Sequence, residues 1–285
     1  MSDPPSNNPN VKLLACLTDI EDESDSDYRC LVDGKDVKYL TTAPGAFRDA
    51  LDDRTFEPIL IHQLFPTFPP GDWNHGHLAW DETAGKAAFV TTEVKEYPGV
   101  KNLWHETRFD ELDFTMKYRL NQQVRVCTNP KLLDGAPVLV KFAVWPWEVD
   151  YSEDETTAYQ WLDIHNCNVG PKFLGHLTER PSGRVIGFVT ELISDFRHAQ
   201  LADYNACRKA LLKLHALGIK LGDTNRHNLL VRENCAEGEE EVVLVDFEMA
   251  RRGCTEEELE EELRGLKESL EYEGTGGRPQ SIGPQ

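Results

Sequence analysis

Positive charge is scarce in this chain. Thirty Lys and Arg stand against 50 Asp and Glu in 285 residues, a formal net charge of −20. Affinity for nucleic acid comes mainly from basic surfaces that release counterions, so this balance argues against a nucleic-acid partner. It favours a cationic small molecule or a basic protein, which an acidic field attracts. No apolar run is long enough for a membrane span, so no membrane partner is expected. The first residues, Met-Ser-Asp-Pro-Pro, lack the basic flank and apolar core of a secretory signal, which points to the cytoplasm or nucleus. Seven cysteines, at 16, 30, 127, 167, 207, 235 and 254, form no Cys-x-x-Cys pair and are odd in number. Reduced structural thiols are expected, and a disulfide framework is not. There is no internal repeat, and 40% hydrophobic residues suffice for a sizeable core.

What is present is concentrated near the C-terminal end. Leu221-Gly-Asp-Thr-Asn-Arg-His-Asn228 is followed, eighteen residues after Asn228, by Asp246-Phe-Glu248. Leu229–Val231 and Val242–Val245 read as strands flanking the acidic turn 233–241, and their hairpin would bring Asn228 and Asp246 together. Upstream, Leu201, Tyr204, Cys207, Leu211 and Leu214 recur at helical spacing, and Gly218 sits where a left-handed cap would end that helix. Phosphoryl transfer needs a carboxylate to orient or deprotonate an acceptor hydroxyl, plus an amide and a second carboxylate to hold Mg²⁺ on the phosphates. Asp223, Asn228 and Asp246 fit these roles.

A second constellation lies earlier. Val138–Ala143 reads as a strand carrying one Lys, Lys141, and Glu155 follows fourteen residues later in a helical stretch. Each has a plain structural reading: Lys141 as a solvated edge residue, and Ser152 with Glu155 as a capping box. Their order decides the matter. Strand Lys, helix Glu, a strand from Arg184 to Val189 running into Glu191-Leu-Ile193, catalytic loop and Asp-Phe-Glu succeed one another as in kinases.

The chain therefore resembles the kinase-like superfamily. Gly-Asp before x-x-x-x-Asn, and Asp-Phe-Glu where protein kinases carry Asp-Phe-Gly, resemble the aminoglycoside and choline phosphotransferase branch. Pro171-Lys-Phe-Leu-Gly175 and Glu155-Thr-Thr-Ala-Tyr-Gln160 are similar to small fungal proteins of that superfamily. The resemblance covers residues 115 to 255. It implies an α+β, bilobal fold with a β-rich N-lobe, and ATP and Mg²⁺ as cofactors. Asp223 would be the catalytic base, with Asn228 and Asp246 as metal ligands and Lys141 and Glu155 as the phosphate clamp. Main-chain groups near Glu191 and Ile193 would hold the nucleotide base.

The sequence departs from that pattern in three places. Leu120-Asn-Gln-Gln123 stands where a glycine-rich loop would expose its N–H groups to phosphates. In the catalytic loop, Leu221 replaces a His and Asn225 a frequent Lys or His. Arg226 and His227 are then the candidates for the missing positive charge, or else Arg226 pairs with an acidic neighbour such as Glu233 or Glu248 and His227 packs against the hairpin. Finally, only the acidic amphipathic stretch Thr255 to Tyr272 and a Gly/Pro-rich tail follow Asp246, a truncated helical C-lobe. That leaves the region before residue 115 as the candidate holder of an acceptor.

The N-terminal region reads as a β-rich extension packed on the N-lobe. Val11–Leu17, Arg29–Leu40 and Pro58–Leu64 look like strands, and Leu78–Trp80 with Ala87–Val94 like a hairpin. Six of the nine residues from Asp19 to Asp27 are acidic, the pattern of a solvated loop. His75 and His77 lack a third ligand at recognisable spacing and read as loop histidines, while Trp73 and Trp104 read as core anchors. The expected division is a disordered 1–10, an extension over 11–112, an N-lobe and hinge over 113–193, a short C-lobe over 194–272 and a disordered tail over 273–285. Two functions stay open: an ATP- and Mg²⁺-dependent transferase acting on a small, amine-bearing acceptor, and a kinase-fold protein without kinase activity. The latter is either a pseudokinase binding module or a scaffold for nucleotidyl or aminoacyl transfer.

Overall fold

The computed structural model describes residues 7–48, 50–180, 183–232 and 241–272. Residues 1–6, 233–240 and 273–285, and with them Glu233 and most of the expected acidic turn, lie outside them. The chain forms two compact units, Met1–Tyr97 and Pro98–Gln285.

The first unit is a five-stranded sheet in chain order: β1 (Val11–Leu17), β2 (Ser26–Val32), β3 (Asp36–Thr42), β4 (His75–Asp81) and β5 (Lys86–Glu93). Neighbours are antiparallel except β3 and β4, whose parallel pairing needs a crossover. The intervening chain supplies it. The strand expected over Arg29–Leu40 is two strands, because Asp33 and Gly34 both take positive φ and reverse the chain.

The strand expected over Pro58–Leu64 is helical instead: α1 (Glu57–Ile59) runs into a wider turn, Leu60–Leu64. Pro at the first helical turn loses no hydrogen bond, and Leu60, Ile61 and Phe65 are buried in the core of this unit. The acidic run is pinned rather than simply solvated. Asp19 accepts the amides of Glu23 and Ser24, and Asp22 pairs with the buried Arg54 at 2.8 Å. Trp73 is buried beside Phe68 and Phe89, with its indole N–H on the Pro69 carbonyl. His75 Nδ1 lies 2.6 Å from the Tyr97 hydroxyl.

The second unit opens with a six-stranded sheet. Its members are β6 (Arg108–Asp110), β7 (Thr115–Arg119), β8 (Val124–Thr128), β9 (Val138–Phe142), β10 (Phe173–Thr178) and β11 (Val185–Glu191), in the order β6-β10-β11-β9-β8-β7. Helix α2 (Val149–Ile164) connects β9 to β10. It starts earlier than a Ser152 cap would allow. The entry is instead closed by the Trp145 N–H on the Glu148 carboxylate, and Ser152 bonds the Ile186 carbonyl from inside the helix.

Beyond the sheet come β12 (Phe196–His198), α3 (Tyr204–His215), β13 (Ile219–Lys220), β14 (Leu229–Arg232), β15 (Val242–Leu244), β16 (Arg251–Arg252) and α4 (Glu256–Glu271). The largest core joins both halves of this unit. Tyr159 of α2 meets Phe188 of β11 and Phe247 just beyond β15 at ring-centre separations of 5.3 Å. Leu211 and Leu214 of α3 and Leu266 and Leu270 of α4 complete it from the helical side. Trp104 packs on Phe173 at 4.7 Å and donates its indole N–H to the Thr156 carbonyl, an anchoring role. Among the described residues no helix is long and apolar enough to cross a membrane.

Candidate active site

Lys141 lies on β9, an inner strand of the sheet, so it is not a solvated edge residue. Its ammonium lies 2.6 Å from Glu155, 2.5 Å from Asp246 and 3.5 Å from Glu248. Burial alone would pull the Lys141 pKa down, but these three carboxylates outweigh it and hold the pKa well above its ordinary value. Glu155 is buried, which pushes its pKa up against the opposing pull of Lys141.

Two local features make this convergence possible. Gly187 on β11 faces Lys141 and Phe142 across the ladder, where a Cβ would collide with the Lys141 carbonyl. Asp246 takes left-handed backbone angles, φ 63° and ψ 68°, a region that Asp tolerates better than most residues. The Phe247 amide then donates to Glu155 at 3.2 Å, and its ring is fixed by Tyr159. One helix thus holds both the strand Lys and the Asp-Phe-Glu turn.

The expected hairpin forms. β14 and β15 pair with Leu229 opposite Leu244, and the Val245 amide donates to the Asn228 carbonyl at 3.0 Å, next to Asp246. The catalytic loop is tied by its own side chains. Asp223 accepts from the Asn225 side-chain amide at 2.9 Å and from that of Asn228 at 3.2 Å, while Asn225 Oδ1 accepts the His227 N–H. Asn225, which replaces a cation in the sequence pattern, therefore serves as a brace. Glu191 ends β11 with its N–H on the Lys172 carbonyl, and the Ile193 side chain packs with Leu230 and Val243.

Arg226 stands apart from this group. It lines a cleft with Gln200, Leu201, Leu270 and Glu271, whereas Asp223 lines another with Asn225, Glu268 and Tyr272. Of its two expected partners, Glu248 is committed to Lys141, and Glu233 lies outside the described residues. His227 packs edge-on against His198 of β12, the strand beside the hairpin, at 4.7 Å.

One residue that supports the site escaped the sequence reading. Glu262 of α4 is buried and accepts from His215 at 2.7 Å, Leu221 N at 3.2 Å and Gly222 N at 2.8 Å, holding the backbone on which Asp223 sits. Its signal was an acid inside the Leu259, Leu263, Leu266, Leu270 stripe. In the turn 120–123, which the sequence reading singled out, the side chain of Asn121 is turned inward. Asn121 Oδ1 accepts the amides of Gln123 and Val124 at 2.8 and 2.7 Å, so N–H groups that a glycine-rich loop would offer to phosphate are already engaged.

As a metal site, Asp246, Glu248 and Glu155 bring carboxylate oxygens within 4.8 Å of one another. Asn228 uses its amide nitrogen on Asp223 and keeps its oxygen. This all-oxygen set suits a hard cation such as Mg²⁺.

The order of sheet Lys, helix Glu, looped Asp and Asn, and hairpin Asp decides the fold. It is a kinase-like, bilobal α+β fold. A family model described as the lipopolysaccharide kinase (Kdo/WaaP) family matches residues 196–280, which contain the catalytic loop and Asp-Phe-Glu. That match and the geometry support the protein kinase-like superfamily. Among solved structures, the Rio2 kinase of Chaetomium thermophilum in its ADP/Mg²⁺-phosphoaspartate complex aligns at 13% identity and TM-score 0.40, over 55% of this chain and 54% of that one. A second structure of the same kinase gives 15% and 0.40 over 61% and 60%. The Rad53 kinase domain with SCD2 gives 18% and 0.39 over 61% and 68%. The aligned parts thus span little more than half the length of the Rio2 structures.

Proposed function

We propose that the second unit binds a magnesium nucleotide and transfers its terminal phosphoryl group to the hydroxyl of a small, amine-bearing acceptor, in the manner of aminoglycoside-type phosphotransferases. The observation that carries this reading is the single ammonium of Lys141 held between Glu155 and Asp246. A third carboxylate, Glu248, lies 3.5 Å from the same ammonium. Asp223, fixed by Asn225 and Asn228, orients the acceptor hydroxyl and takes its proton as the oxygen attacks phosphorus and the bond to the leaving diphosphate breaks. Asn228 and Asp246 would hold Mg²⁺, which supplies charge neutralisation on the phosphates. Lys141 steadies the phosphates, and the main chain from Glu191 to Ile193 receives the base.

The test is a thermal-shift titration with ATP, with and without Mg²⁺, on the wild type and Asp246→Asn. A Mg²⁺-dependent rise in Tm that the variant loses is the expected result. No rise at millimolar nucleotide overturns the reading. One observation favours the second function, a kinase-fold binding module or a scaffold for another transfer: Asn121 occupies amides that would otherwise cradle phosphate. As a binding module or an aminoacyl-transfer scaffold it would be indifferent to nucleotide, whereas a nucleotidyl-transfer scaffold would share the Mg²⁺-dependent shift.

A further inference from the structure

The cleft beside Asp223 has a composition of its own. It measures about 400 Å³ and is walled on one side by Gly222, Asp223, Thr224 and Asn225, and on the other by Gly265, Glu268, Ser269 and Tyr272 of α4 and its cap. The two walls are joined by the Thr224 and Ser269 hydroxyls, 3.0 Å apart. Gly265 leaves the middle of the helix wall open, with no atom within 4 Å of where a Cβ would stand. Among the described residues, two carboxylates line the cleft and no cation does. The nearest basic residues of α4 are paired along their own helix, Arg264 with Glu260 and Lys267 with Glu271.

From this we infer that α4, rather than the region before residue 115, forms the acceptor wall, with Glu268 and Tyr272 as the residues that select a protonated amine. The carboxylate and the aromatic ring, one helical turn apart and both exposed in the cleft lining, give an ammonium group an ion pair and a cation–π face. Asp223 and the Thr224–Ser269 pair offer their oxygens to the acceptor's hydroxyls. The inference rests on the phosphotransferase reading for its meaning, and it is tested without nucleotide so that the two can fail separately.

The experiment is a ligand-observed NMR titration of the full chain with D-glucosamine and with D-glucose, which differ by one amine. Glucosamine should bind and glucose should bind weakly or not at all. Glu268→Gln and Tyr272→Ala should each weaken glucosamine about three- to fivefold. Tyr272→Phe keeps the ring and should bind as the wild type does. Equal binding of the two sugars, binding of neither, or glucosamine affinity unchanged in both Glu268→Gln and Tyr272→Ala overturns the inference. A Mg-ATP thermal shift on the same samples separates the outcomes. A positive shift with no preference for the amine sinks the acceptor wall alone, and amine selectivity without a shift sinks the phosphotransferase reading alone.

Discussion

Glu262 holds Gly222: the carboxylate on α4 accepts the loop amide at 2.8 Å, and the same side chain takes the Leu221 amide and His215. A helix that follows the Asp-Phe-Glu turn in sequence thereby fixes the loop that precedes it. Burial works to raise the Glu262 pKa, but the hydrogen bonds from His215, Gly222 and Leu221 outweigh it and hold the pKa below its ordinary value. An acid with a lowered folded pKa contributes stability above its unfolded pKa and loses it as pH falls through the folded one. Wild-type stability should therefore decline below about pH 4.5, and Glu262→Gln should show a flatter acid limb at lower overall stability. Denaturant unfolding across pH checks this, and parallel curves for the two proteins would sink it.

Gly222 and Gly218 make a controlled pair. Both have positive φ, 88° and 70°, but a Cβ at Gly222 would collide with the Met249 carbonyl, whereas at Gly218 it would meet nothing within 4 Å. Gly218→Ala should cost about 1–2 kcal/mol, the left-handed penalty alone. Gly222→Ala should cost more and should also displace Asp223, lowering any activity by a larger factor than the stability loss explains. Equal costs would mean that the Met249 carbonyl moves aside freely.

These two positions also mark how far the sequence could be read. The order of Lys141, Glu155, Asp223, Asn228 and Asp246 is legible because Lys141 is the one charge in an apolar strand, Glu155 follows it in a helical stretch, and Asp223, Asn228 and Asp246 lie in polar segments beside short apolar strands. The hairpin is legible because two short Val/Leu runs can bury themselves only against each other. Glu262 was hidden as one of eight acids of α4, where one buried carboxylate looks like the solvated rest. The Asp22–Arg54 pair spans 32 residues and leaves no local pattern. Pro58–Leu64 was misassigned because a short apolar run suits a strand or a buried helical turn equally.

Removing the cation of the central cluster should be expensive. Lys141→Met leaves Glu155, Asp246 and Glu248 facing one another, and breaking a buried pair from one side costs about 3–5 kcal/mol. The sign of the pH effect follows from Glu155. Burial already raises it, and loss of Lys141 removes the group that pulls it down. An acid with a raised folded pKa favours folding most when protonated, so the variant should be more stable near pH 5 than near pH 8. Lys141→Met with Glu155→Gln should recover part of the loss, by non-additivity of contacting sites. Strict additivity would show that the two do not share one cluster.

His176 offers a test far from the catalytic loop. It is fully buried on β10 among Trp104, His105 and Phe173, and its Nε2 accepts the His105 amide at 3.3 Å, which requires a neutral ring. Burial first, then His105 and Arg108, lower its pKa to about 4. A base with a lowered folded pKa favours the native state while neutral. The contribution is therefore present above the unfolded pKa of about 6.5 and is lost as pH falls towards the folded value. Wild-type Tm should fall on this account between those limits, and His176→Gln, which cannot titrate, should lose that part of the slope. NMR of the ring carbons gives the direct reading: His176 should remain neutral at pH values where exposed histidines are charged. A His176 that titrates with the exposed ones would show that the ring is not sealed from water.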